Sequence, residues 1–401
     1  MSEWPLGKLA DVLTEVNDRN TAGAVELVLS VTEGRGIVPQ TEIFKKRIAT
    51  DDTVKYKVVQ PLDIAWNPYL LWTGAVGQWL GAAAGVTSPV YPIFRVREHH
   101  DARFWGLVLA SGQLTPYFNS TAIGSIQRRR RTTVPVFKAA TVLVPPPVEQ
   151  RRIVDVMLAV DAQINALAAE ADSLTRLARA RRSQLVNDET VPEVRAHQAF
   201  EFSTGVRRTP DRANGPHMTR YLRSANVGYG SLDLSDVLEM NYEPHEREKF
   251  SLRNGDVLVS EGSASPKAVG MPAMWRNEIS GTVCFQMTLL RLRAIAEVCT
   301  PDFAFQWCLW AYEAGRFLDV AGGTNIKHIS AKRSSQMAVR LPSLTRQREI
   351  ALELDSLGAQ LTSVRCELAR LRSFRSALLS SLLNQEIEIP SSYDILLEEV
   401  L

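Results

Sequence analysis

Residues Val144–Leu167 read "VPPPVEQRRIVDVMLAVDAQINAL", and 197 positions later Leu341–Val364 read "LPSLTRQREIALELDSLGAQLTSV". The two align without a gap: Pro145 falls on Pro342, Gln150 on Gln347, Arg151 on Arg348, Ile153 on Ile350 and Gln163 on Gln360. The match runs on through Glu170 and Glu367, Leu174 and Leu371, Leu185 and Leu382, and Asn187 and Asn384. A segment repeated at this spacing marks a duplicated unit, and a repeat constrains the fold before any local reading does.

The period of the repeat names its structure. In the first copy Ile153, Met157, Val160, Ile164, Leu167, Ala171, Leu174, Ala178 and Leu185 alternate steps of four and three, interrupted at Arg181. In the second, Ile350, Leu354, Leu357, Leu361, Val364, Leu368, Leu371, Leu378 and Leu382 do the same, interrupted at Arg375. That is an apolar heptad seam, the pattern of helices that pack knobs into holes. Pro145, Pro146 and Pro147 open one helix and Pro342 the other, since proline cannot lie deep inside a helix. At about 1.5 Å per residue each helix is a rod of roughly 54 Å. A rod with one apolar stripe needs a partner, and the other copy is the simplest one. The helix-pairing set is therefore Ile153, Val160, Ile164, Leu167, Leu174 and Leu185 with Ile350, Leu357, Leu361, Val364, Leu371 and Leu382.

The copies leave two blocks of similar size, residues 1–143 and 189–340, each large enough for its own core. Both carry strand-like stretches among scattered Gly and Pro, such as "SPVYPIFRV" and "GDVLVSEG". The expected order is domain 1–143, helix segment 144–188, domain 189–340, helix segment 341–385 and tail 386–401. The fold class is α/β, two globular domains joined by two long antiparallel helices forming a coiled coil, a pseudo-two-fold internal repeat. No apolar run spans a membrane and no signal-peptide pattern opens the sequence. Cys284, Cys299, Cys308 and Cys366 show no metal spacing. They read as free thiols in a reducing cytoplasm.

The net charge of +2 is unevenly spread, because the tail from Glu386 holds five acids and no Lys or Arg, leaving +7 elsewhere. Arg128, Arg129, Arg130 and Arg131 close the first domain. The same offset lays them over "TNIKHIS", with Lys332 and Arg333 just beyond. Basic, polar loops at matching places in two domains suggest an anion partner, and Arg can hold phosphate or guanine edges bidentately. Enzyme motifs are missing. "WNPYLLW" (Trp66–Trp72) lacks the second proline of an adenine-gripping loop, and no nucleotide-binding Gly-rich sequence accompanies it. "GSASPKAVG" (Gly262–Gly270) opens no obvious helix, and His99-His100 reads as an exposed loop. Nothing supplies a nucleophile with a base and an orienter.

A P-P-x-x-E-Q-x-x-I helix after one domain and a P-x-x-x-x-Q-x-x-I helix after another resemble the specificity subunit of type I restriction–modification systems. "KYKVVQPLDIAWNP" and "GAAAGVTSPVYPIFRV" are similar to that family's target recognition domains. So are "YLRSANVGYGSLDLSDV", "FSLRNGDVLVSEGSASPKAVGMPAMW" and "GTNIKHIS". One departure is Thr345-Arg346-Gln347, where the first helix has Val148-Glu149-Gln150.

The resemblance implies a non-catalytic DNA reader, one recognition domain per half of a split, asymmetric target, with the helices holding the halves apart. It implies double-stranded DNA, two methyltransferase subunits and two restriction/translocase subunits as partners, with no membrane. S-adenosylmethionine would sit on the methyltransferase partner, ATP and Mg on the nuclease partner, and none directly on this chain. The expected DNA-binding residues are Arg128, Arg129, Arg130, Arg131, Thr324, Asn325, Lys327, His328, Lys332 and Arg333. The rod faces and the tail "SSYDILLEEVL" are the expected methyltransferase docking surface. The rival is a coiled-coil scaffold joining two protein-binding domains without DNA. Salt separates the two, because contacts to several phosphates weaken steeply as salt rises.

Overall fold

A computed structural model describes residues 4–44, 53–124, 130–263, 265, 267–323 and 327–394. Each repeated segment is one 40-residue helix, Pro147–Val186 and Leu344–Leu383. Their ends keep the 197-residue offset. Pro147 is the first helical residue, where its missing N–H is harmless and its fixed φ already suits the helix. The second helix stops as Gln385 turns left-handed at φ 58°. The carbonyl of Ser381 then accepts from the N–H of Glu386 at 2.8 Å, satisfying an end of the kind helices otherwise leave open.

The chain divides into two compact units, Met1–Ala166 with Glu367–Leu401, and Leu167–Cys366. Each holds one globular domain and half of either long helix. In the first unit Asp161 meets Arg375, whose Nη2 lies 2.7 Å from Oδ2. In the second, Arg181 Nη2 reaches Glu353 Oε2 at 3.2 Å and Arg365 Nη2 reaches Thr175 Oγ1 at 3.2 Å. Within the second unit partners rise along one helix as they fall along the other, so those halves run antiparallel. Every residue of the heptad seam is buried or half-buried. The two arginines that interrupt the seams each reach a carboxylate on the facing helix.

The globular domains share one frame. In the first, strands Leu13–Val16, Ile93–Val96, Ile64–Trp66 and Val76–Gln78 form an antiparallel sheet in that order. In the second, Phe200–Thr204, Leu289–Ala294, Val257–Ser260 and Pro272–Met274 do the same. A helix covers each sheet, Ala102–Ala110 in one and Pro301–Glu313 in the other, with Trp105 and Trp307 fully buried. Short strands Leu6–Lys8 and Thr141–Leu143 pair where the first domain meets its helices, as Glu193–Arg195 and Ala338–Arg340 do in the second unit. The domains differ beyond that frame. The first adds the two-stranded pairs Leu29–Thr32 with Gly36–Pro39 and Lys57–Val59 with Gly85–Thr87. The second adds a three-stranded sheet in which Met218–Leu222 runs parallel to Val283–Phe285.

Each domain core is continuous with the helices below it. Ile153, Val154, Met157, Leu379, Leu382 and Leu383 join Phe94, Phe104 and Phe137 in the first unit. Leu185, Ile350 and Leu354 join Phe200, Phe303 and Trp307 in the second. Burying an apolar side chain contributes roughly 1.5–3 kcal/mol, so domain and helix halves stabilise each other within a unit.

Candidate nucleic-acid interface

Two repeated glutamines fasten the domains to the helices. Gln150 and Gln347 are both fully buried. Gln150 Oε1 accepts from the N–H of Asp101 at 2.8 Å, and its amide donates to the carbonyl of Pro145 at 2.8 Å. Gln347 accepts from the N–H of Thr300 at 2.8 Å and donates to the carbonyls of Val298 and Pro342 at 3.0 and 2.9 Å. Asp101 and Thr300 are the N-caps of the two covering helices, and their side chains bond the next turn. The histidine pair expected in an exposed loop is partly drawn in. His100 is half-buried, 3.2 Å from the Gln150 amide and edge-on to Trp105. Glu149 and Arg346 do take different roles. Glu149 accepts from the Trp4 indole, whereas Arg346 pairs with Glu349 one turn along its own helix.

The basic loops are set on this frame at matching places. In the first domain Ile123 and Arg131 exchange two backbone hydrogen bonds of 2.9 and 3.0 Å. Arg128 and Arg129 lie outside the described residues. Arg130 sits at the loop base, its guanidinium 4.6 Å from the centre of the Trp72 ring and bonded to the carbonyl of Asn119. The Arg131 side chain is exposed. In the second domain Gly322 and His328 exchange two bonds of 2.8 Å. Here Thr324 and Asn325 lie outside the described residues. Arg131 and His328 are one repeat offset apart, and so are the short helices that follow, Val134–Ala139 and Ala331–Ser334.

The residues that flank the Gly322–His328 pair bond one another. Ser330 Oγ caps the short helix by accepting from the N–H of Arg333 at 3.2 Å. The Arg333 guanidinium rests on Gly322, where a Cβ would come within 2.5 Å of Nη2. Lys332 and His328 are exposed and Lys327 half-buried. Below them burial pushes the Glu261 carboxyl up, an effect that His328 opposes.

A second loop joins each of these, and sequence reasoning did not place it there. Thr132 N–H donates to the carbonyl of Pro68 at 2.9 Å, tying the arginine loop to "WNPYLLW". At the repeat-related position, Ile329 N–H donates to the carbonyl of Glu261 at 2.8 Å. There Lys327–His328 also pairs with Gly262–Ser263, at the start of "GSASPKAVG". Both motifs weighed as enzyme signatures are thus the connection between the third and fourth strands of their sheets. Among the described residues no group of three or more His, Cys, Asp and Glu is placed to hold a metal, and no helix is long and apolar enough to cross a membrane. The four cysteines are free, Cys284, Cys299 and Cys308 buried and Cys366 exposed. Burial pushes the Cys299 thiol up to about 12.

Known proteins share this plan. A chain solved in a study of complex assembly and conformational transition of the type I restriction–modification system superposes with a TM-score of 0.62, at 14% identity over 96% of this chain and 98% of that one. The S subunit of a type I system from M. genitalium gives 0.53, at 14% identity over 94% of this chain and 96% of that one. The chain has the fold of a type I specificity subunit. In sequence it is 24% identical to the type I restriction enzyme StySPI specificity subunit of Salmonella potsdam over 166 residues, 40% of this chain and 35% of the relative. The matched stretch therefore spans about a third of that curated relative. No family model matches the chain. The resemblance to type I specificity subunits thus holds in sequence and in fold.

Part of the acidic tail is already engaged in this specificity-subunit fold. Asp394 accepts from Arg152 through Nε at 2.8 Å, and Ile389 packs on the core of the first unit. The hydrogen bonds to Arg152 hold the Asp394 carboxyl below the usual carboxylate range. Residues 395–401 lie outside the described residues.

Proposed function

We propose that the chain is the DNA-reading specificity subunit of a type I restriction–modification enzyme. Each domain reads one half of a bipartite, asymmetric target, and the chain directs methyltransferase and nuclease subunits to it. One observation carries this reading. Two domains on a common frame present paired loops through the same backbone attachments, yet with different side chains: Arg130, Arg131 and Trp72 in one, His328, Lys332 and Arg333 in the other. A shared frame with unlike tips suits two readers of unlike half-sites. Arg and Lys on phosphates would set register, and contacts to base edges would set sequence. Chemistry belongs to the partners, with S-adenosylmethionine on the methyltransferase and ATP and Mg on the nuclease.

The test joins a domain exchange to a salt series. Replacing residues 1–143 with the matching domain of a relative should change one half of the methylated sequence and leave the other half intact. Binding of the methyltransferase complex to its target should fall steeply with salt. A change in both halves or in neither, or DNA binding indifferent to salt, would favour a protein scaffold.

A further inference from the structure

The loop between strands Ile64–Trp66 and Val76–Gln78 is the least explained part of the first domain. It holds Tyr69 at 47% and Leu70 at 40% exposure, side by side. Single exposed apolar residues need no explanation, but these two are held in place rather than left loose. The Leu70 carbonyl accepts from Thr73 N at 3.1 Å, Thr73 Oγ1 at 2.8 Å and Ala75 N at 3.0 Å. The Tyr69 carbonyl accepts from the Trp72 indole at 2.8 Å, and the Tyr69 N–H donates to Asn67 Oδ1 at 3.0 Å. Gly74, at φ 99°, makes the left-handed turn that closes the loop. The backbone is therefore ordered in advance, and a contact made by Tyr69 and Leu70 costs little further entropy.

The neighbourhood names the occupant. Three segments meet here, residues 67–75, 112–124 and 130–140. Arg130 bonds Asn119 and covers Trp72, Thr132 bonds Pro68, and Tyr117 bonds Val136. Together the three contain no Asp or Glu, but they contain Arg130 and Arg131, and also Lys138, which pairs with Glu15 of strand Leu13–Val16 at 2.9 Å. An apolar pair framed by two arginines, on segments that carry no carboxylate of their own, is complementary to a polyanion that also exposes apolar edges. Duplex DNA fits both demands, with phosphates outside and base edges in the groove, where the thymine methyl is an apolar target.

Resting on the DNA-reading function above, we propose that Tyr69 and Leu70 are a base-reading element of the first domain, flanked by Arg130 and Arg131 on phosphates. The first half-site is then discriminated in part by apolar contact at a base edge rather than by arginine alone. The related loop of the second domain, which starts at Glu261 and carries an exposed Lys267, puts different chemistry at the same place. That difference gives the two half-sites different readers.

The test compares a Tyr69→Ala, Leu70→Ala double variant with Arg130→Ala and Arg131→Ala. Each is assembled with the methyltransferase and titrated with duplexes altered at one base pair at a time. The double variant should melt like the parent and keep its salt slope. It should lose roughly 5- to 150-fold of discrimination at one or two adjacent pairs of one half-site, the range of one mismatched base pair. The arginine variants should instead weaken binding to every sequence and lower the salt slope by about one each. Parental discrimination at every position in the double variant, with the arginine variants behaving as stated, overturns this inference and leaves the DNA-reading function standing. A shallow salt slope in the parent overturns both. If the double variant fails to assemble with the methyltransferase while remaining folded, the patch holds protein and the inference is wrong.

Discussion

Changing Gln150 to Leu tests how a domain is fixed to the helices. Leucine keeps most of the shape but removes an acceptor for the Asp101 N–H, a donor to the Pro145 carbonyl and a contact to His100 Nδ1. Each lost hydrogen bond costs a net of about 0.5–1.5 kcal/mol, and a buried group left unpaired costs about 1–3 kcal/mol. The Pro145 carbonyl belongs to a buried residue, while Asp101 is half-buried and can recover some solvation. The expected loss is therefore roughly 2–5 kcal/mol. For a unit of about 200 residues, that lowers the melting temperature by roughly 4–20 °C. Calorimetry of the full chain measures it, and amide exchange at Asp101 locates it. Gln163→Leu is the control: Gln163 is also identical in the other copy, but it is exposed, and its change should stay within about 0.5 kcal/mol. If Gln150→Leu melts within a degree of the parent with the Asp101 amide equally protected, the clamp is not what holds the domain.

Two further outcomes follow from the same structure. Leu167→Asp with Val364→Asp puts two carboxylates into the seam of the second unit, one at a buried and one at a half-buried position. The chain should unfold or aggregate on size exclusion, and a parental melt would mean that the helices do not depend on this pairing. The Glu246 carboxyl is held below its usual range, first by its hydrogen bonds to Arg212 at 2.7 and 2.8 Å. A depressed carboxyl stabilises the fold above its unfolded pKa, near 4.5, and that contribution disappears as pH falls through the folded value. Glu246→Gln should thus be less stable than the parent at pH 7, with the gap closing towards pH 3 in urea melts. A gap independent of pH would assign the loss to packing instead.

The long helices were legible because a heptad is a local signal repeated many times, and duplication confirmed it at every register. The sheets were harder to read. Strands such as Val76–Gln78 and Ile64–Trp66 are three residues long, too short to show an alternation. The identity of Gln150 and Gln347 was visible, but their function was not. It depends on the N–H groups of Asp101 and Thr300, which only the fold brings near. "WNPYLLW" was weighed against enzyme motifs because motif reasoning looks along the chain. Its real neighbour is Arg130, some sixty positions away and stacked on Trp72. The contact of the acidic tail with the first helix was not legible either, since nothing in the tail's own sequence points to Arg152.

The glutamine clamps ask almost nothing of the domains they hold. Among the described residues Gln347 bonds only main-chain atoms of the second unit, and Gln150 adds just one side chain, His100. Every residue has an N–H or a carbonyl to offer, proline's missing N–H aside. A domain seated this way can therefore drift at nearly every side chain and remain seated, provided its covering helix starts at the same place. Such an anchorage leaves the loop tips open to other side chains without unseating the domain from the helix beneath it.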